Sequence, residues 1–215
     1  MFLIFSKKEA HYKGHHGFTL IELLIVIAIV IIISTVVLAG YDDYQFRSAL
    51  TIAKEELAVT LREAQVYGIA IRGAQNGATY SFPNYGVHVH PVTYPNAIII
   101  FTDVDRTPAS DIGFNTPGDT EISRYTIKPP HTLEKVCVNT TANIANEECT
   151  GSGPTAKIDI LFERPEPEPT INSKNSGNTL LITGALYTSI YITGPDVIGS
   201  HYVRIWNNGQ ISVLP

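Results

Sequence analysis

Residues 18–39 read FTLIELLIVIAIVIIISTVVLA, 22 positions with a single charged side chain, Glu22. As a helix, a run of that length covers roughly 33 Å, enough to cross the hydrocarbon core of a bilayer. A secretory signal needs an apolar stretch of only about 7–15 residues, so this run is read as a retained anchor rather than a signal that is merely removed. The flank before it is basic (KKEAHYKGHH) and the flank after it carries Asp42 and Asp43. Positive charge stays on the cytoplasmic side, which places the N-terminus inside and the body of the chain outside.

Two residues make the run more than a generic anchor. Glu22 is a carboxylate in an otherwise apolar helix, where an unpaired acid costs roughly 3 kcal/mol near the bilayer centre and less towards the interface. At the interface it stays wet at little cost; deeper, it needs a cationic partner. Gly17 stands at the junction of basic leader and apolar run, and its lack of a side chain leaves the backbone open to a protease. A cut after Gly17 would give Phe18 a free α-amino group, a cation at the depth where a neighbouring chain's Glu22 needs one.

The residues G-F-T-L-I-E at 17–22, followed at once by a membrane-length apolar run, resemble the prepilin signature of type IV pilins and type II secretion pseudopilins. The resemblance covers the leader and the helix to about residue 72. It implies cleavage between Gly17 and Phe18 by a prepilin peptidase, N-methylation of Phe18, and a role for Glu22 in subunit docking. The partners it implies are the peptidase/methyltransferase, other pilin or pseudopilin subunits, the inner-membrane assembly platform and membrane lipid. The implied location is the bacterial cytoplasmic membrane, then an extracytoplasmic filament. Many major pilins break the helix with a proline near the membrane exit; here Ala39 and Gly40 occupy that zone.

After Gly40 the helical pattern turns amphipathic. Leu50, Ala53, Leu57, Leu61, Ala64, Gly68 and Ile71 recur at steps of three and four, with Lys54, Glu55, Arg62 and Glu63 assigned to the polar side. From about residue 73 the period shortens to that of strands: AIIIFTDVD, ISRYTIK, LEKVCV, KIDILFE, SIYIT, YVRIW and QISVL are β-branched or aromatic runs between Gly, Pro, Asn and Ser clusters. Asn207, Asn208 and Gly209 form a hairpin signal between the last two. The expected fold is therefore α+β: a long N-terminal helix, transmembrane then amphipathic, packed on an antiparallel sheet or sandwich. The expected divisions are a leader at 1–17, a membrane or filament-core helix at 18–40, a stalk helix at 41–72 and a β-rich lobe at 73–215. LREAQVYGIAIRG at 61–73 and the closing GQISV also resemble minor pseudopilins of the GspH/FimT kind.

The remaining features are weaker. Cys137 and Cys149 enclose 11 polar residues, and outside the cytoplasm a disulfide is the default, with two reduced thiols as the alternative. Asp103, Asp105 and Asp111 alternate as calcium ligands do, but Pro108 and Phe114 stand where an EF-hand loop needs glycine and glutamate. Solvated turn carboxylates are the preferred reading, and no cofactor is expected. His88 and His90 share a strand face without a third ligand, which favours surface or interface histidines over a metal site. Residues 163–170, ERPEPEPT, read as a stiff exposed loop. Removing residues 1–17, with Lys7, Lys8, Lys13 and Glu9, takes the net charge from −5 to −7, which disfavours nucleic acid as a partner. No catalytic motif is present, so the chain reads as a structural filament subunit and not an enzyme. The alternative is a filament-tip subunit that captures DNA or a surface ligand.

Overall fold

The computed structural model describes residues 17–70, 73–76, 79–104, 113–115, 118–141, 146–194 and 201–214. The chain falls into two compact units that divide after Tyr44. The first contains helix α1 (Leu20–Ala39), and helix α2 (Tyr41–Ile69) begins one residue later, after a turn at Gly40. The expected single helix is thus interrupted at the glycine, the weakest helix former in that stretch.

The second unit holds α2 from Gln45 onward and, among the described residues, thirteen short strands. A six-stranded antiparallel sheet contains β3 (Asn84–Val89), β4 (Ala97–Asp103), β5 (Thr120–Thr126), β8 (Lys157–Phe162), β9 (Pro169–Lys174) and β10 (Leu180–Thr183). Its spatial order is β10-β9-β8-β3-β4-β5. A five-stranded antiparallel sheet contains β6 (Thr132–Asn139), β7 (Glu148–Cys149), β11 (Tyr187–Thr193), β12 (His201–Trp206) and β13 (Ile211–Leu214). Its order is β13-β12-β11-β6-β7. The pair β1 (Ala74–Asn76) and β2 (Thr79–Ser81) forms a separate ribbon. The hairpin at 207–209 joins β12 to β13 as expected, with Gly209 at φ +81°.

One buried apolar cluster joins the three layers of this unit. It takes Leu50, Leu57, Leu61 and Ala64 from α2, Val87, Ile98, Ile100 and Ile160 from one sheet, and Val136, Ile190 and Val203 from the other. Strand alternation sends Ile99, Phe101 and Leu161 to the opposite face of the six-stranded sheet, where they form a second cluster with Phe114. The predicted helical stripe is the buried one throughout its described length. Lys54 is the exception: read as a surface residue, it is 8% exposed, and its ammonium donates to the Leu214 carbonyl at 3.3 Å and lies 3.4 Å from His201 Nδ1. The long aliphatic stem lets lysine cross an apolar face while its head finds polar partners.

Gly68 shows how tightly α2 is seated. A Cβ there would lie 2.3 Å from the Cβ of Phe162 and 3.0 Å from its carbonyl oxygen. In an exposed helix, Gly→Ala gains about 1 kcal/mol. Here the overpacking should reverse the sign, and Gly68→Ala is expected to destabilise by about 1–3 kcal/mol. Urea unfolding of the detergent-solubilised chain, followed by the fluorescence of its one tryptophan, Trp206, measures this directly.

Candidate functional site

The start of α1 is built from a local cap. Thr19 is extended (φ −80°, ψ 152°), and its hydroxyl oxygen accepts the Glu22 backbone N–H at 3.3 Å. Its carbonyl accepts from Leu23 at 3.2 Å. Threonine followed three residues later by glutamate is the spacing of a capping box, in which the hydroxyl satisfies one of the orphan N–H groups of the first turn. This spacing is legible in the sequence itself at Thr19 and Glu22. Glu22 is an exposed acid in the first turn of α1, near the positive end of the helix dipole. Among the described residues its carboxylate has no hydrogen bond or ion pair. Gly17 and Phe18 precede the helix, are exposed and belong to no regular element, with Phe18 at 82% exposure.

The segment Leu20–Leu38 is long and apolar enough to cross a membrane, and none of it is buried within the chain. Its two hydroxyls are satisfied internally. Ser34 donates to the Val30 carbonyl at 2.7 Å and Thr35 to the Ile32 carbonyl at 2.8 Å. Helix formation covers the backbone groups in the same way, so the segment presents almost only hydrocarbon outward.

The other expected residues lie in the second unit. Cys137 and Cys149 are directly opposite each other on β6 and β7 and form a disulfide. Glu147 beside them forms an ion pair with Arg204 at 3.1 Å and accepts from the Tyr191 hydroxyl at 3.3 Å. Burial, followed by the Glu147 charge, pushes the Tyr191 phenol up to about 12. The Arg204 guanidinium lies 4.2 Å from the Tyr187 ring centre and 5.1 Å from that of Tyr202. Asp103 is not the solvated turn carboxylate expected: it ends β4 and is 2% exposed. Asp105 and Asp111 lie outside the described residues.

His88 departs from the surface reading as well. It is 2% exposed, and its Nδ1 lies 2.6 Å from Asp159 Oδ1. His90 is only partly buried, and the two rings are 6.0 Å apart. Residues 165–168 are exposed as expected, but β9 begins at Pro169.

Reducing the disulfide frees a loop of 11 intervening residues and should lower unfolding stability by about 3 kcal/mol. Guanidinium unfolding of the oxidised and reduced chain compares the two, and equal midpoints would remove the disulfide from the stability argument.

The family model described as the Prokaryotic N-terminal methylation motif matches residues 12–38, which include the cap, Glu22 and nearly all of the apolar helix. No curated protein and no solved structure matches the chain. The chain therefore carries, across its apolar N-terminal helix, the signal that marks type IV pilin and pseudopilin precursors.

Proposed function

We propose that the chain is a minor pilin or pseudopilin, of the GspH/FimT kind, that is processed after Gly17 and assembled by helix packing into a type IV pilus or a type II secretion filament. The observation that carries this reading is the unpartnered apolar surface of α1, headed by a capped first turn containing a single exposed carboxylate. A helix of this kind is stable in lipid before assembly and among neighbouring apolar helices after it. The prepilin peptidase cuts between Gly17 and Phe18 and methylates the new Phe18 amine. That amine then pairs with Glu22 of an adjacent subunit, which sets the axial register of the stack. Before assembly the chain crosses the cytoplasmic membrane once, with the leader inside and the β lobe outside.

Support also comes from α2. Ile52, Val59 and Val66, seven residues apart, are 53%, 63% and 59% exposed. They lie off the stripe that packs on the sheets and give the helix a second apolar line for contact with other subunits. The assembly platform supplies the energy that moves subunits from membrane to filament, so no catalytic group is required of this chain.

Intact mass and N-terminal fragmentation of the protein from its native membrane test the processing step. The expected product begins at Phe18 and carries one added methyl group; a chain that still begins at Met1 refutes the proposal. Glu22→Leu should leave cleavage and membrane insertion unchanged but reduce the amount recovered in sheared filaments by about tenfold or more, the equivalent of losing one ion pair of about 1.4 kcal/mol in a dry setting.

A further inference from the structure

The face of the six-stranded sheet turned away from α2 holds a group of charges that the filament role does not use. His88 Nδ1 and Asp159 Oδ1 are 2.6 Å apart, with side chains 2% and 0% exposed. Lys174 Nζ lies 3.5 Å from the other oxygen of the same carboxylate and is 1% exposed. Strand register builds this group: Asp159 is opposite His88 on β3 and opposite Asn172 on β9, while Lys157 is opposite Lys174. Alternation then puts all of these side chains on one face.

With Nδ1 turned to Asp159, the other ring nitrogen of His88 has no hydrogen bond among the described residues. The ring is enclosed by Phe114 at 4.9 Å and Tyr94 at 6.1 Å between centres. Above it opens a cleft of about 130 Å³ whose polar lining includes His88, His90, Thr93, Asn115 and Lys157. Lys157 is 8% exposed, and its ammonium donates to Asn178 Oδ1.

Among the described residues, charge around this cleft does not balance. Lys157 and Lys174 bring two ammonium groups against the Asp159 carboxylate. Two acids further along this side, Glu121 and Asp119, are held by other groups. Glu121 holds Arg124 at 2.7 Å, and the Arg124 guanidinium lies 5.0 Å from the Tyr94 ring centre. Asp119 accepts from the backbone of Asn115 at 2.8 Å and of Val104 at 3.2 Å. Burial draws the Lys157 amine below its ordinary value, with Asp159 opposing the shift and Lys174 adding to it. His90 is likewise lowered, first by burial and then by His88 and Lys157. A buried cation short of a counter-charge is unfavourable until an anion joins it.

We propose that this cleft binds a small oxyanion, with Lys157 supplying the charge and His90, His88 and Thr93 supplying further polar contacts. A metal ion does not suit the same lining, because the ammonium of Lys157 repels it and Asp159 is spent on His88 and Lys174. The volume is also well below the roughly 300–1,000 Å³ of pockets for drug-sized ligands. It fits one phosphate or carboxylate group, either as a free ion or as the acidic end of a peptide.

Calorimetric titration of the full chain in detergent with sodium phosphate, and separately with sodium acetate, tests this at ionic strength fixed with chloride. Saturable binding of at least one of them is expected. Phosphate alone assigns the cleft to a free dianion, and saturation by acetate as well assigns it to a carboxylate. Lys157→Met should weaken binding about tenfold or more, since it removes a hydrogen bond made by a charged group. Lys128→Met, at an exposed lysine, should bind as the parent does. Circular dichroism establishes that each variant is folded; should Lys157→Met fail to fold, His90→Gln, expected to bind severalfold more weakly, decides the matter. The proposal is overturned if neither anion saturates, or if a folded Lys157→Met or His90→Gln binds as tightly as the parent.

Discussion

Leu57 and Leu61, one helical turn apart on α2 and fully buried, belong to the same cluster as side chains from both sheets. Each sheet turns an apolar face into this cluster, and the stripe of α2 supplies the third surface that makes a closed core of them. Burial of two leucines contributes roughly 3–6 kcal/mol, comparable to much of the net stability of a small domain. The bare backbone at Gly68 belongs to the same constraint, since it lets the helix approach Phe162 to a distance that no side chain would allow.

Much of this architecture was legible because it follows from periodicity. The apolar run of α1, the three-four spacing of α2 and the β-branched strands announce themselves without reference to the rest of the chain. What escaped were residues whose surroundings are assembled from distant segments. Strand β9, PTINSK, starts with proline and continues through polar side chains, so it resembled the loop that precedes it. Asn172, Ser173 and Lys174 are nevertheless buried, because β9 lies between β10 and β8 in the sheet, and Lys174 meets Asp159 of β8 there. Lys54, His88 and Asp103, all polar residues, are likewise buried. The capping relation of Thr19 and Glu22 is different: it is local and was readable at its three-residue spacing.

The two units treat polar groups in opposite ways. In α1 every described hydroxyl is returned to the helix's own backbone, and the lone acid sits at the end of the helix. The β lobe instead buries charges in pairs, Glu147 with Arg204 and Asp159 with Lys174 and His88. Such pairs add little net stability over apolar replacements, but breaking one partner away is expensive, so they restrict which packing the lobe accepts. An alternative packing of the lobe would alter the surfaces it presents, and this restriction opposes it.

The disulfide has a further consequence at the margin of the five-stranded sheet. On the side of β6 away from β11, β7 pairs with Cys137 and Val138, Thr150 bonds both the N–H and the C=O of Val136, and the Leu133 N–H reaches the Pro95 carbonyl. An open strand margin offers its unpaired N–H and C=O groups to any extended chain that drifts alongside. The covalent tie from Cys137 to Cys149 keeps the short cover strand in place where it would otherwise fray. Oxidation of this single pair thus guards the margin of the sheet against being stitched, strand to strand, onto another chain.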